Sequence, residues 1–177
     1  VAKKFGYPVF NADYEVAKLY KKDRKIYRKL KKVLPNYVFS FPVNKNEITK
    51  AILANRGNLK KIIKIVHFVV RKKLNNFLSK NKSKKFVILD IPLLLENKMN
   101  KKEDILIIVK TQKTQVLKRL KKRKNFNQKL LYKFNNIQLP LDYKKKKSHF
   151  IIKNDFTKVT VIKYIKNILK EIKKWKK

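Results

Sequence analysis

Eleven acidic residues stand among 50 lysines and arginines in this 177-residue chain, and two of the acids, Asp13 and Asp90, sit where a carboxylate can do chemistry. Asp13 follows Pro8-Val9-Phe10-Asn11, which reads as a short strand, and falls in the first turn of a helix running from Ala12 to about Tyr20. Asp90 lies near the end of the apolar run Phe86–Ile91, and Pro92 stops that run. Glu96 follows in Leu93-Leu94-Leu95-Glu96-Asn97. Ligands of open α/β sheets bind just outside the carboxyl ends of the strands. An acid there can take a proton from a bound hydroxyl. Plainer readings stand beside these. The helix dipole favours an acid at position 13, and Asp90 fits a turn or cap beside a proline.

The basic candidates come in pairs. His67 and Arg71 are four apart in a long helical pattern, so they share a face that an anion could meet. A histidine among Ile65, Val66 and Phe68 also reads as packing. Arg119 and Arg123, two of only six arginines, are again one turn apart and could grip a polyphosphate. The alternative is a solvated basic face, since lysines surround them.

These residues need elements to hold them. The run 86–91 has no polar alternation and reads as a central parallel strand buried on both faces. Asp104–Val109 reads as a second buried strand and Phe150–Ile152 as a short third. Helices are expected over 22–34, after a cap at Asn46, from about Leu59 to Leu78 with Gly57 and Asn58 as punctuation, over 112–124, and after Asp155 or Thr157. Val161, Ile162, Ile165, Ile168, Leu169, Ile172 and Trp175 form one apolar stripe on the last of these, a core face. Val1–Phe5 reads as the tail of a helix, and the stretch from about 124 to Asn136 is basic and asparagine-rich. Short apolar strands alternating with helices are the α/β, parallel-sheet signature.

Length points to one domain. There are no cysteines, so disulfides and thiolate metal sites are excluded, and no metal ligands are assigned. No apolar run reaches the roughly 18 residues of a membrane span, and no signal pattern opens the chain. A cytoplasmic protein without a membrane partner is expected. The net charge of +39 suggests a nucleic-acid binder at first sight. Yet 44 of the 50 basic residues are lysine, spread along a chain also rich in Asn (17) and Ile (18). Base reading favours the planar fork of Arg. Biased residue usage explains the charge better than a dedicated nucleic-acid surface.

One set of segments resembles a known family. Asn11-Ala12-Asp13, His67 with Arg71, Asp90-Ile91-Pro92-Leu93-Leu94-Leu95-Glu96-Asn97, Thr114-Gln115 with Arg119-Leu120 and Arg123, Gln138-Leu139-Pro140-Leu141, and Ile151-Ile152-Lys153-Asn154 occur in the order and approximate spacing of dephospho-CoA kinases. The resemblance spans essentially the whole chain. It implies a P-loop NTPase-like parallel sheet with flanking helices, a helical CoA-side subdomain at about 22–79 and a lid at about 119–147, all within one domain over 1–177. It implies transfer of the ATP γ-phosphate to the 3′-hydroxyl of dephospho-CoA, the last step of coenzyme A synthesis, with ATP and Mg²⁺. Asp13 is implied as the catalytic base. His67, Arg71, Asp90 and Glu96 are implied on the substrate side, and Arg119, Arg123 and Asn154 at ATP.

The chain departs from the family pattern in places. The family reads Asp-Ala-Asp where Asn11-Ala12-Asp13 stands, His-Pro where His67-Phe68 stands, and Asp-Asn where Lys153-Asn154 stands. Its glycine-rich G-x-x-G-x-G-K-[ST] loop has no counterpart here, since the only glycines are Gly6 and Gly57. That loop and its strand are expected ahead of Val1, and these residues alone are expected to be a truncated, inactive form. The rivals are a basic nucleic-acid-binding protein and a related nucleoside monophosphate kinase. The run Asp90–Glu96 and the helical insertion favour the first reading.

Overall fold

In the computed structural model, residues 5–175 are described, and the expected helix tail at Val1–Lys4 lies outside them. The described residues divide into two compact units, one spanning Tyr7–Pro92 and the other Leu93 onward together with Phe5 and Gly6.

The first unit begins with β1 (Val9–Asn11) and α1 (Ala12–Lys22). Asn11 ends the strand and caps the helix: its side chain accepts from the Tyr14 N–H at 2.7 Å. Asp23 closes α1 and opens α2 (Arg24–Val33), with its carboxylate accepting from the N–H groups of Lys25 and Ile26. The irregular stretch after Pro35 is pinned by Glu47, which accepts from Phe39 N–H, Ser40 N–H and Ser40 Oγ. Glu47 lies in α3 (Lys45–Ala54), capped by Asn44 rather than Asn46. Both asparagines can cap, and the one two residues upstream wins because its oxygen reaches the Asn46 N–H at 2.8 Å. Gly57 and Asn58 do not interrupt the chain. Asn55 caps α4 (Arg56–Lys80), and the buried Asn58 amide donates to Ala51 O at 3.0 Å. Leu59, Ile62, Val66, Val70 and Leu74 are the buried stripe of α4, against which α1, α2 and α3 pack. The unit ends in β2 (Ile88–Asp90), parallel to β1 with Val9, Phe10 and Asn11 opposite Ile88, Leu89 and Asp90.

The second unit starts with a compact turn. Asn97 N–H and Nδ2 both donate to Leu93 O, and Met99 N–H donates to Leu94 O. It continues through β3 (Ile107–Lys110), α5 (Lys113–Lys121), α6 (Gln128–Asn135), α7 (Leu141–Lys147), β4 (Phe150–Lys153) and α8 (Lys158–Lys174). β3 and β4 are parallel, in register from Ile107 opposite Phe150 to Lys110 opposite Lys153. Thr157 caps α8.

The strands are parallel, as expected, but the doubly buried strand is not found. Each pairs with one partner among the described residues, as two two-stranded sheets. β2 is half-buried and β3 largely exposed. A strand becomes a buried centre only when neighbours cover both edges and both faces. The core lies instead in the helical unit: of the 20 buried apolar residues described, all but Ile152, Ile168 and Ile172 fall within Phe10–Leu74. The α8 stripe is accordingly buried only at Ile168 and Ile172, while Trp175 stays exposed and stacks on the Phe150 ring at 5.3 Å. α6 and α7 fall where the sequence carried no assigned helix.

Candidate active site

In the first unit, β1 and β2 run parallel, so their carboxyl ends lie side by side, and Asn11 stands opposite Asp90. Asn11 Nδ2 donates to Asp90 Oδ2 at 2.6 Å. Asp13 is exposed on the first turn of α1, two residues beyond Asn11. Two expected carboxylates are thus placed at adjoining strand ends, with a neutral amide bonded to one and capping the helix of the other.

On α4 of the same unit, His67 is half-buried and Arg71 exposed. Burial, and secondly the Arg71 charge, hold the His67 imidazole below its usual pKa. Phe68, next to His67, is exposed.

In the second unit, Gln115, Lys118, Arg119, Lys122, Arg123, Asp155 and Phe156 line an open cleft of ≈ 620 Å³. The Arg119 guanidinium lies over the Phe156 ring, 4.0 Å from its centroid. Phe156 has a φ of 66°, the left-handed region that non-glycine residues seldom adopt. Asn154 sustains this turn: its Oδ1 accepts from the Phe156 N–H at 2.8 Å, and its own N–H donates to Lys110 O. Asp155 is tied down by Thr157 and Thr160, and those hydrogen bonds, led by the Thr157 N–H, keep its carboxyl below the usual range. Four cations and one acid give the cleft a net positive field, suited to a polyphosphate. Arg119 and Arg123 line it together, and Asn154 reaches it only through its hydrogen bond to the Phe156 N–H.

Glu96 is occupied by its own unit. Its carboxylate accepts from Leu139 N–H at 3.0 Å and pairs with Lys144 Nζ at 2.6 Å. Burial pushes this carboxyl up, but the bonds from Lys144 and the two backbone N–H groups, with the Lys144 charge, outweigh it and leave the pKa lowered.

Sequence reasoning passed over Lys118, Lys122 and Phe156. The lysines carry no distinguishing signal among so many. Phe156 owes its place to a positive φ and to a cation 37 residues away in sequence.

Among the described residues no three His, Asp or Glu side chains converge. Mg²⁺ needs no such cage, because one or two carboxylates plus phosphate oxygens and water hold it. Asp13 and Asp90 at the strand ends match that donor set.

Parallel strands alternating with helices define an α/β protein. Comparison narrows the class. The family model for dephospho-CoA kinase (CoaE) matches residues 1–159. A dephospho-CoA kinase of Wolbachia pipientis wMel is 32% identical over 169 residues, covering 94% of this chain and 86% of the relative. That of Bartonella quintana is 31% identical over 174 residues, covering 95% and 89%. The fold is shared with a crystal structure from Thermus thermophilus, TM-score 0.74 at 21% identity over 96% of this chain and 87% of that one. It is also shared with a dephospho-CoA kinase from Campylobacter jejuni, TM-score 0.65 at 21% identity over 99% and 90%. The chain belongs to the dephospho-CoA kinase family.

Proposed function

We propose that the protein transfers the γ-phosphoryl group of ATP to the 3′-hydroxyl of dephospho-CoA, giving coenzyme A and ADP, in the cytoplasm. The observation that carries this reading is the family match over residues 1–159. Phosphoryl transfer asks the protein mainly for positioning and charge neutralisation. The ribose 3′-oxygen bonds to the γ-phosphorus, the bond to the ADP oxygen breaks, and the hydroxyl proton passes to the Asp13 carboxylate. Asp13 suits this role because it is exposed, at a strand end, on a turn fixed by the Asn11 cap.

Arg119 and Arg123 hold the ATP phosphates in the cationic cleft, and Asn154 shapes the adenine side by fixing the Phe156 turn. Mg²⁺ bound to ATP would supply further charge neutralisation near Asp13 and Asp90. His67 and Arg71 meet the anionic groups of dephospho-CoA, on a helical subdomain formed by α2 to α4. Residues 119–147 form the lid, and Glu96 serves the substrate side by holding Leu139 and Lys144 in place. Lys118 and Lys122 beside the two arginines add to the positive field that holds the polyphosphate.

The test is acceptor-dependent turnover. The purified natural gene product, given ATP, Mg²⁺ and dephospho-CoA, should form ADP and a product heavier by one phosphoryl group, read by mass spectrometry. Preference for a nucleoside monophosphate as acceptor would replace this reading with that of a nucleoside monophosphate kinase.

A further inference from the structure

We propose that Asn11 is a positioning residue for Asp90, setting that carboxylate to accept a hydrogen bond from the bound acceptor nucleotide. The inference rests on the phosphoryl-transfer reading above and goes beyond it, to a position where this chain departs from the family pattern.

An asparagine side chain offers one accepting oxygen and one donating NH₂. Here both are used, in opposite directions. The oxygen accepts from Tyr14 N–H at 2.7 Å and caps α1, and the nitrogen donates to Asp90 Oδ2 at 2.6 Å. The cap fixes which end is which, because a flipped amide would point NH₂ at the Tyr14 N–H. Serine or aspartate could cap equally well. Neither can do both jobs. Serine is too short to span to Asp90, and aspartate would set a second carboxylate against Oδ2, where like charges repel. Asn11 and Asp90 are therefore complementary: the amide donates where the acid opposite accepts.

The bond is not needed to bury a charge, since Asp90 is exposed. What it does is hold an accessible carboxylate in one orientation on the strand end beside the helix turn that bears Asp13. A pre-oriented acceptor saves the cost of ordering that side chain when substrate binds.

Three variants separate positioning from mere strand pairing. Asn11→Ser keeps the cap and loses the donor. Asn11→Asp keeps the cap and opposes Asp90. The exchanged pair, Asn11→Asp with Asp90→Asn, keeps the cap and restores a donor–acceptor bond of reversed polarity. For each, thermal midpoint and the KM and kcat for dephospho-CoA and for ATP are measured. The proposal expects the exchanged pair to recover the wild-type midpoint while kcat/KM for dephospho-CoA stays down about tenfold or more, the scale of a lost hydrogen bond to a charged group. It expects Asn11→Ser to raise KM for dephospho-CoA with KM for ATP unchanged. An exchanged pair with both midpoint and turnover restored would overturn it, because the bond would then be a strut between β1 and β2. A wild-type protein inactive on dephospho-CoA overturns the kinase reading and this inference with it, whereas an active wild type with an active exchanged pair overturns this inference alone.

Discussion

The Arg119 guanidinium lies over the face of the Phe156 ring, 4.0 Å from its centroid, at the wall of the cationic cleft. A guanidinium stacked this way keeps its edge N–H groups for an anion while the ring holds its plane. Asn154 sets the ring by anchoring the Phe156 N–H. Cation, aromatic and amide thus form one device, assembled from α5 and the turn after β4.

Arg119→Ala should therefore lower kcat/KM for ATP by about tenfold or more, the scale of a lost charge-assisted phosphate contact. Arg123→Ala should behave similarly. Arg119→Lys should rescue little, because an ammonium neither stacks flat nor presents a fork. Lys174→Ala, which removes an exposed pair with Glu171, should change nothing measurable. Steady-state kinetics at saturating dephospho-CoA decides it. Equal small effects at 119, 123 and 174 would reduce the arginines to members of a diffuse basic surface.

Asp13→Asn removes a proton acceptor without altering shape. Turnover should fall by about 10²–10⁴-fold, the usual contribution of a general base, with ATP affinity little changed. Isothermal titration alongside single-turnover kinetics separates the two quantities. Near-normal turnover would sink the assignment of Asp13 as base.

The placement of these residues was only partly legible in the sequence. Asn11-Ala12-Asp13 was readable because strand end and first helical turn are local, whereas the Asn11 cap emerged only in the structure. The run 86–91 was readable as a parallel strand but not in its burial, because burial depends on what lies on each side, and β2 pairs only with β1 among the described residues. Asn46 was read as the cap of α3, whereas the 2.8 Å bond from the Asn46 N–H to Asn44 Oδ1 gives that place to Asn44, because a cap is decided by which side chain reaches a free N–H. α6 was hidden by its composition: Lys and Asn do not announce a helix, and the Asn127 cap, accepting from the Leu130 N–H, is visible only in three dimensions. Arg119 over Phe156 is non-local and left no trace in spacing. The bond from Asn11 to Asp90, 79 residues apart, made sense of what the sequence showed only as a departure.

Glu96 gives a prediction about stability against pH. Its carboxyl titrates below the ordinary value when folded, through the bonds from Lys144 and Leu139. The depressed pKa means that the folded state favours the charged form. The contribution is complete above the unfolded value of about 4.3 and is lost as pH falls through the lower folded value. Glu96→Gln should cost about 1–3 kcal/mol at neutral pH and should flatten the acid limb of the stability curve. Urea melts of both proteins from neutral pH downward provide the check. Parallel curves, offset but equally steep in acid, would mean that Glu96 is not the group titrating.

His67 carries the last prediction. Burial first, and the Arg71 charge second, make its protonated form unfavourable in the fold. The imidazole should therefore titrate below about 6.5 by NMR, and His67 should be neutral at neutral pH. Arg71→Leu should raise the pKa but not restore it fully, because burial is the larger cause and remains. The sign for stability follows. The unfolded chain takes up a proton more readily, so the contribution of His67 is intact above about 6.5 and declines as pH falls toward the folded value. His67→Asn should remove that part of the decline. The same titration tests the substrate-side role. Dephospho-CoA brings phosphate charge, and an anion near His67 favours the imidazolium. Saturating dephospho-CoA should move the His67 resonance toward a higher pKa, and ATP alone should not. An imidazole blind to dephospho-CoA would place His67 and Arg71 outside the substrate site and return them to the packing of α4.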